Sequence, residues 1–302
     1  MSLFLQSIYL SSALSLGYIY LLVRANPHRR IPAAPAIVVF TAGMLAVIPV
    51  VALRRLIPFD PGLATAAGLF LAASIEEAMK LSAFLLTGWR FKFPNAIEPL
   101  DFAVYFGILG AGFAIYEDFW YIFSVSYPSW ISGDPYRFSE VFHGIVLARA
   151  FPGHILFNGL AGFLIGRSRT SPLPSRIGWI GGGLAIAILS HAAFNRIAEL
   201  NEPFLLLTYA LLLVGAFLVL RKGELDRSPF PALIDYIEGR REDWPFPRPP
   251  IDYLFADGFF WPGKRRSGIF QFYPVLLSLG ILFPILLMFV YLLNRLVLWP
   301  GL

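Results

Sequence analysis

Long apolar runs, each close to the ~20 residues that a helix needs to cross about 30 Å of hydrocarbon, recur along this sequence. A segment in lipid must satisfy its own backbone N–H and C=O groups, so only helices and closed barrels span membranes. The runs lack the period-two alternation of barrel strands. Hydrophobic residues make up 57% of the chain and charged residues 14%, against about 45–50% and about 25% in soluble domains. The sequence therefore predicts an all-α, polytopic transmembrane helix bundle.

The runs predict eight membrane helices. Their approximate limits are 2–23, 35–53, 61–87, 99–126, 142–166, 177–195, 203–220 and 273–299. The chain then divides into two N-terminal helices (1–60), a core of four helices (61–200), a seventh helix (201–220), a polar segment (221–270) and a C-terminal helix (271–302). The polar segment is rich in Pro, Arg, Asp, Trp and Phe. We expect it to lie at the cytoplasmic membrane surface, with a short amphipathic helix near 232–240.

The distribution of Lys and Arg predicts the orientation of the bundle, because cytoplasmic loops carry an excess of both. With the N-terminus outside, the outer loops hold only Arg54, Arg55, Arg137 and Arg196, whereas nine basic residues lie between 221 and 266 alone. Both termini are therefore expected on the non-cytoplasmic side of a bacterial cell membrane. The net charge of +5 reflects this loop bias, and we expect no nucleic-acid partner. The absence of cysteine excludes a disulfide, a thiolate metal site and a cysteine nucleophile.

Three ionisable side chains, Glu76, Glu77 and Lys80, interrupt the third apolar run. A charge at the centre of a membrane helix costs about 2.5–3.5 kcal/mol on insertion scales, so such residues normally face the protein interior or a water-filled cavity. Consecutive residues on a helix point about 100° apart, so one glutamate can enter the cavity while the other braces a neighbouring helix. We expect Lys80 or Arg149 to neutralise one carboxylate in a structural ion pair. The other acid is then available for function.

Polar residues also lie near the middle of three later helices. They are Glu117 and Asp118 in the fourth, Arg149, His154 and Asn158 in the fifth, and His191 and Asn195 in the sixth. Residues four apart, such as His191 and Asn195, share one face of a helix. The fifth run is interrupted at Pro152-Gly153, which membrane helices tolerate where neighbours satisfy the freed carbonyl groups. We expect these polar faces to line one cavity inside the bundle.

Carboxylates and imidazoles without cysteine support two kinds of hydrolytic chemistry. A buried glutamate can take a proton from water, and a histidine can polarise a carbonyl or stabilise the oxyanion that forms. Two histidines and a glutamate are equally a workable catalytic zinc set with an open position for water. The spacing of the residues does not decide between these alternatives.

Together the motifs resemble the signature of PrsW-type intramembrane proteases, a branch of the superfamily that includes the type II CAAX prenyl endopeptidases and bacteriocin-processing relatives. The motifs are Glu76-Glu77-x-x-Lys80, Phe113-x-x-x-Glu117, Arg149 followed by Pro152-Gly153-His154, and His191-x-x-x-Asn195. They stand in the family's order and cover about residues 73–196. The prenyl endopeptidases usually have histidine in place of Glu117, so the PrsW branch is the nearer match. That branch commonly has aspartate in place of Asn195.

The resemblance implies an endopeptidase that hydrolyses a peptide bond in or near a transmembrane segment of a membrane protein, such as an anti-sigma factor. The implied catalytic residues are Glu76, Glu77, Glu117, His154, His191 and Asn195, supported by Lys80 and Arg149. In this interpretation a glutamate activates water and the two histidines stabilise the oxyanion, while Glu117 and Asn195 orient the histidines. If the enzyme instead uses zinc, the expected ligands are His154, His191 and Glu117.

Two other functions use the same residues. The first is a non-catalytic membrane scaffold, because fold resemblance alone does not establish activity; the presence of both glutamates and both histidines argues against it. The second is a proton-coupled transporter, since buried Glu and His side chains also serve as proton relays. A transporter predicts broken helices at corresponding positions of two halves. The sequence shows one such break and no inverted repeat.

Overall fold

The computed structural model of the chain describes residues 2–27, 31–56, 65–91, 98–169, 171–200 and 202–246. These residues form ten helices and no strand. The helices are α1 (Leu3–Val23), α2 (Ala33–Leu45), α3 (Val47–Leu56), α4 (Ala66–Phe91), α5 (Pro99–Ile131), α6 (Pro135–Arg149), α7 (Gly153–Ser168), α8 (Leu173–Glu199), α9 (Pro203–Arg227) and α10 (Pro229–Ile237). The expected all-α architecture is confirmed. The predicted C-terminal helix (273–299) lies outside the described residues.

Six stretches of the described chain are long and apolar enough to cross a membrane. They are Leu3–Val23, Ala33–Arg54, Pro99–Ile131, Pro135–Ser168, Leu173–Glu199 and Pro203–Ile237. α4 has 26 residues and at 1.5 Å per residue is about 39 Å long, so it has the length to cross as well despite its three charges. The predicted number of eight spans is therefore not confirmed over the part of the chain that the structure describes.

The predicted fifth helix is two helices, α6 and α7, separated at Phe151 and Pro152. Proline has no N–H to donate and disfavours helical backbone in the residue before it, so α6 ends at Arg149. The Tyr18 hydroxyl of α1 donates a hydrogen bond to the Ala150 carbonyl, an acceptor that the break leaves without a helical partner. The break sets Arg149 and His154 on either side of a turn next to α5.

The first residues of the polar segment are helical. α9 continues to Arg227, past the predicted end at residue 220. The short α10 follows it and buries Phe230 and Leu233, at the place where the sequence predicts a short amphipathic helix. Beyond residue 246 the segment lies outside the described residues.

α5 is the centre of the bundle and packs against α7, α1 and α2. Its first turn carries a capping box in which the side chains of Glu98 and Asp101 accept from backbone N–H groups, with Pro99 at the first helical position. Between Leu100 and Phe119 every side chain except those of Phe102 and Glu117 is fully buried. Glu117 thus stands out as a partly accessible acid in an otherwise enclosed stretch of the helix.

Gly110 decides how closely α5 approaches α7. A Cβ atom at this position would lie 2.4 Å from the His154 carbonyl oxygen and 2.6 Å from the Asn158 side-chain oxygen. Only glycine allows the two backbones to come this close. The contact places His154, in the first turn of α7, directly against the middle of α5.

Candidate active site

Glu77 is the hydrogen-bonding centre of the site and is fully buried. Its Oε1 accepts from Lys80 Nζ at 2.6 Å and from His191 Nδ1 at 2.8 Å. Its Oε2 accepts from Asn158 Nδ2 at 2.7 Å. Three donors from α4, α7 and α8 therefore occupy this carboxylate, and the expected structural ion pair is the one between Glu77 and Lys80.

Glu76 has a different environment, although it is adjacent in sequence and only 2% exposed. Its Oε1 pairs with Arg54 at the end of α3. Its Oε2 is buried and has no hydrogen-bond partner among the described residues, and it lies 3.8 Å from His191 Nε2. The free carboxylate oxygen of the pair thus belongs to Glu76.

The hydrogen bonds define the proton positions of both histidines. His154 Nδ1 lies 2.8 Å from Lys80 Nζ and its Nε2 lies 2.7 Å from Glu117 Oε2. Because an ammonium group only donates and a carboxylate only accepts, His154 accepts at Nδ1 and donates from Nε2. His191 donates from Nδ1 to Glu77, so in its neutral form Nε2 carries a lone pair. The two rings are perpendicular, with centroids 4.8 Å apart.

Arg149 joins α6 to the acidic pair on α5. Its Nη2 donates to Glu117 Oε2 and its Nε donates to Asp118 Oδ1, each at 2.6 Å. Arg149 therefore pairs with both members of this acidic pair and with neither glutamate of α4 among the described residues. Glu117 Oε2 receives both Arg149 and His154, and Glu117 Oε1 has no hydrogen bond in the part of the chain that the structure describes.

Two cavities meet at these residues. The smaller one has a volume of about 30 Å³, room for roughly two water molecules at ~10–15 Å³ each. Its polar lining consists mainly of Glu117, Asp118, Arg149, His154, His191 and Asn195. The larger cavity has a volume of about 730 Å³ and includes Arg54 and Glu76. Glu117, Arg149 and Asn195 line both cavities.

The structure brings most of the residues predicted from the sequence into one region. Ion pairs and hydrogen bonds connect Glu77, Lys80, Glu117, Arg149, His154 and His191, and Glu76 Oε2 lies 3.8 Å from His191 Nε2 at the edge of this network. Asn195 lines both cavities but makes no hydrogen bond to either histidine among the described residues. Arg54 was not predicted as part of the site, because the Lys and Arg pattern places it in an outer loop and it lies 22 positions from its partner Glu76.

The buried donors would fit a metal ion. One ligand atom from each of Glu76, His154 and His191 lies within 4.8 Å of the others, which is a carboxylate and two imidazoles of the kind that bind catalytic zinc. The unpartnered Glu76 Oε2 and the lone pair of His191 Nε2 support this fit. Glu117, which the sequence analysis included, is not part of the group. Binding through His154 requires one of its two hydrogen bonds to give way.

The chain matches a known protein family. Residues 31–220, more than half of the chain, match the model of the PrsW family of intramembrane metalloproteases. No curated protein and no solved structure matches the chain.

Proposed function

This chain belongs to the PrsW family of intramembrane metalloproteases, and we propose that it hydrolyses a peptide bond in or near a transmembrane segment of another membrane protein. One observation carries the proposal. Glu76, Glu117, His154 and His191 converge where a water-sized cavity meets a cavity of about 730 Å³. The small cavity provides room for the attacking water, and the large one provides room for the substrate backbone.

The large cavity suits an extended, mainly apolar segment. Its apolar lining comes from α4, α6, α8 and α9 and comprises Leu69, Ala72, Ile75, Ile145, Ala148, Phe194, Ala198 and Leu206. A transmembrane helix must lose its internal hydrogen bonds before a protease can attack its backbone, and lipid cannot replace them. The Asn195 amide offers a donor for the exposed backbone. A single-span regulatory protein of the anti-sigma-factor type is our proposed substrate, on the family resemblance alone.

In the metal-dependent form of this reaction, Glu76, His154 and His191 would hold the ion. A zinc ion in such a site polarises the scissile carbonyl and makes water a stronger acid. Glu77 serves this arrangement indirectly, because its bond to His191 Nδ1 directs His191 Nε2 toward Glu76. Hydrogen-bonded partners of this kind orient ligating histidines in many metalloenzymes.

Glu117 is the proposed proton acceptor. Its Oε1 has no hydrogen bond within the described chain, its side chain is 18% exposed, and it lines both cavities. It can take a proton from the attacking water and pass it to the leaving amine. The Asn195 side-chain amide can donate to the developing oxyanion. These roles refine the sequence interpretation, in which Glu76 or Glu77 was the base and Glu117 oriented a histidine.

Co-expression with single-span membrane substrates tests the proposal. Glu117→Gln should lower kcat about 10²–10⁴-fold, the usual contribution of a general base, while zinc content stays near that of wild type. Glu76→Gln and His191→Ala should lose cleavage and zinc together. Glu140→Gln, on the exposed face of α6, is the matched control and should cleave normally. Equal cleavage by all four variants would refute the proposal.

A further inference from the structure

Arg54 is the one cation that contacts Glu76 among the described residues. Its side chain is 44% exposed, lies at the end of α3 and lines the large cavity, whereas Glu76 is 2% exposed. The other cations of the site have other partners: Lys80 pairs with Glu77, and Arg149 pairs with Glu117 and Asp118. Loss of Arg54 would therefore leave Glu76 without a compensating charge.

The ion pair also determines which oxygen of Glu76 faces the histidines. Arg54 Nη2 donates to Oε1, and Oε2 is left 3.8 Å from His191 Nε2 without a partner in the described chain. A carboxylate rotates about its terminal torsion with little preference, so binding of one oxygen is what directs the other. Arginine suits this purpose because its planar guanidinium donates in fixed directions.

We propose that Arg54 is a positioning residue that holds Glu76 by Oε1 and presents Oε2 to His154 and His191 as a metal ligand. The proposal rests on the metal-binding role given to Glu76 in the proposed function. Residues that orient a metal ligand typically contribute about 10–100-fold to metal affinity or activity. Because Arg54 acts here through a metal ligand, its loss should reduce kcat by a larger factor than it changes KM.

Metal affinity provides a readout that does not depend on catalysis. Purified full-length protein in detergent is titrated with zinc against a chromophoric chelator, for wild type, Arg54→Gln and Arg54→Lys. We expect Arg54→Gln to bind zinc about 10–100-fold more weakly and Arg54→Lys to recover part of the loss. Arg196→Gln is the matched control, since Arg196 is 49% exposed and pairs with Glu199 on its own helix. Its affinity should equal that of wild type.

Chemical rescue gives a second readout that a merely structural role would not produce. Because Arg54 borders a cavity of about 730 Å³, free guanidinium can reach Glu76 in Arg54→Ala. Millimolar guanidinium chloride should restore zinc affinity and cleavage in that variant, and potassium chloride at equal ionic strength should not. If Arg54→Gln or Arg54→Ala fails to fold, Arg54→Lys is measured instead. Its zinc affinity and its changes in kcat and KM then test the role of Arg54.

The outcomes separate this inference from the proposed function. If Glu76→Gln retains zinc and activity, the proposed ligand set is wrong. If Glu76→Gln loses both but Arg54→Gln and Arg54→Ala bind zinc within twofold of wild type, the ligand set stands and the role of Arg54 is refuted.

Discussion

Replacement of Gly110 by alanine should lower the rate of catalysis, although Gly110 lines neither cavity. The new Cβ would lie 2.4 Å from the His154 carbonyl oxygen, whereas ordinary contact begins at 3.4 Å. α5 and α7 must therefore separate by about 1 Å at the turn that carries His154. A displacement of about 1 Å in an active site costs on the order of 10²-fold in rate. We expect kcat/KM to fall by about that factor.

The assay compares cleavage of one single-span substrate with thermal unfolding of the same preparations in detergent. Overpacking alone destabilises a protein by about 1–3 kcal/mol, so a second variant must separate instability from misplacement. Gly112→Ala is this second variant, because its Cβ would lie 2.0 Å from the Phe40 carbonyl oxygen on the other side of α5. Its stability should fall by a similar or greater amount, but its loss of activity per folded molecule should be much smaller than that of Gly110→Ala.

Gly178→Ala is the neutral control, since nothing lies within 4 Å of a Cβ at that position. It should match wild type in both stability and activity. Wild-type kcat/KM in Gly110→Ala would refute the reasoning, because it would mean that the α5–α7 contact does not position His154. Equal losses of activity per folded molecule in Gly110→Ala and Gly112→Ala would refute it as well.

Three further predictions concern charge, metal and orientation. Lys80→Met leaves the fully buried Glu77 without its cation and should lower the free energy of unfolding by about 3–5 kcal/mol. The double variant Lys80→Met, Glu77→Gln should lose less of this free energy, and an equal or greater loss would contradict the ion-pair explanation. Purified protein should hold about one equivalent of zinc, and a chelator should remove metal and activity together; full activity in the metal-free protein would favour the reaction in which glutamate alone activates water. Because the chain has no cysteine, the single-cysteine variants Ser2→Cys and Ser171→Cys report the orientation directly. An impermeant maleimide should label Ser2→Cys in intact cells and Ser171→Cys only after lysis. The reverse pattern would invert the predicted topology.

The sequence was sufficient for the class of fold, and it pointed to most of the polar residues that the structure brings together, although not to Arg54. Unpaired charges are too costly in a bilayer to be scattered at random, so Glu76, Glu77, Lys80 and the polar residues of later helices had to turn inward. The helical period then grouped residues four apart on common faces. The all-α membrane bundle and the inward position of these polar residues follow from these two facts.

Helix limits were less accessible, because they depend on local hydrogen bonds as well as on hydropathy. The Pro152-Gly153 break was visible in the sequence, but the partner of the carbonyl next to it was not, because the Tyr18 hydroxyl donates to the Ala150 carbonyl from 132 positions away. Hydropathy alone therefore predicted one long helix where the structure has α6 and α7.

Only the tertiary structure assigned different environments to the two adjacent glutamates. Their side chains point about 100° apart on α4, and the neighbours on each side come from helices whose packing a single sequence does not specify. Lys80, Asn158 and His191 occupy Glu77, while Arg54 holds one oxygen of Glu76 and leaves the other open. The cost of charge in lipid set the inward position of both acids. The packing of α3, α7 and α8 around α4 determined that the open carboxylate oxygen belongs to Glu76 and not to Glu77.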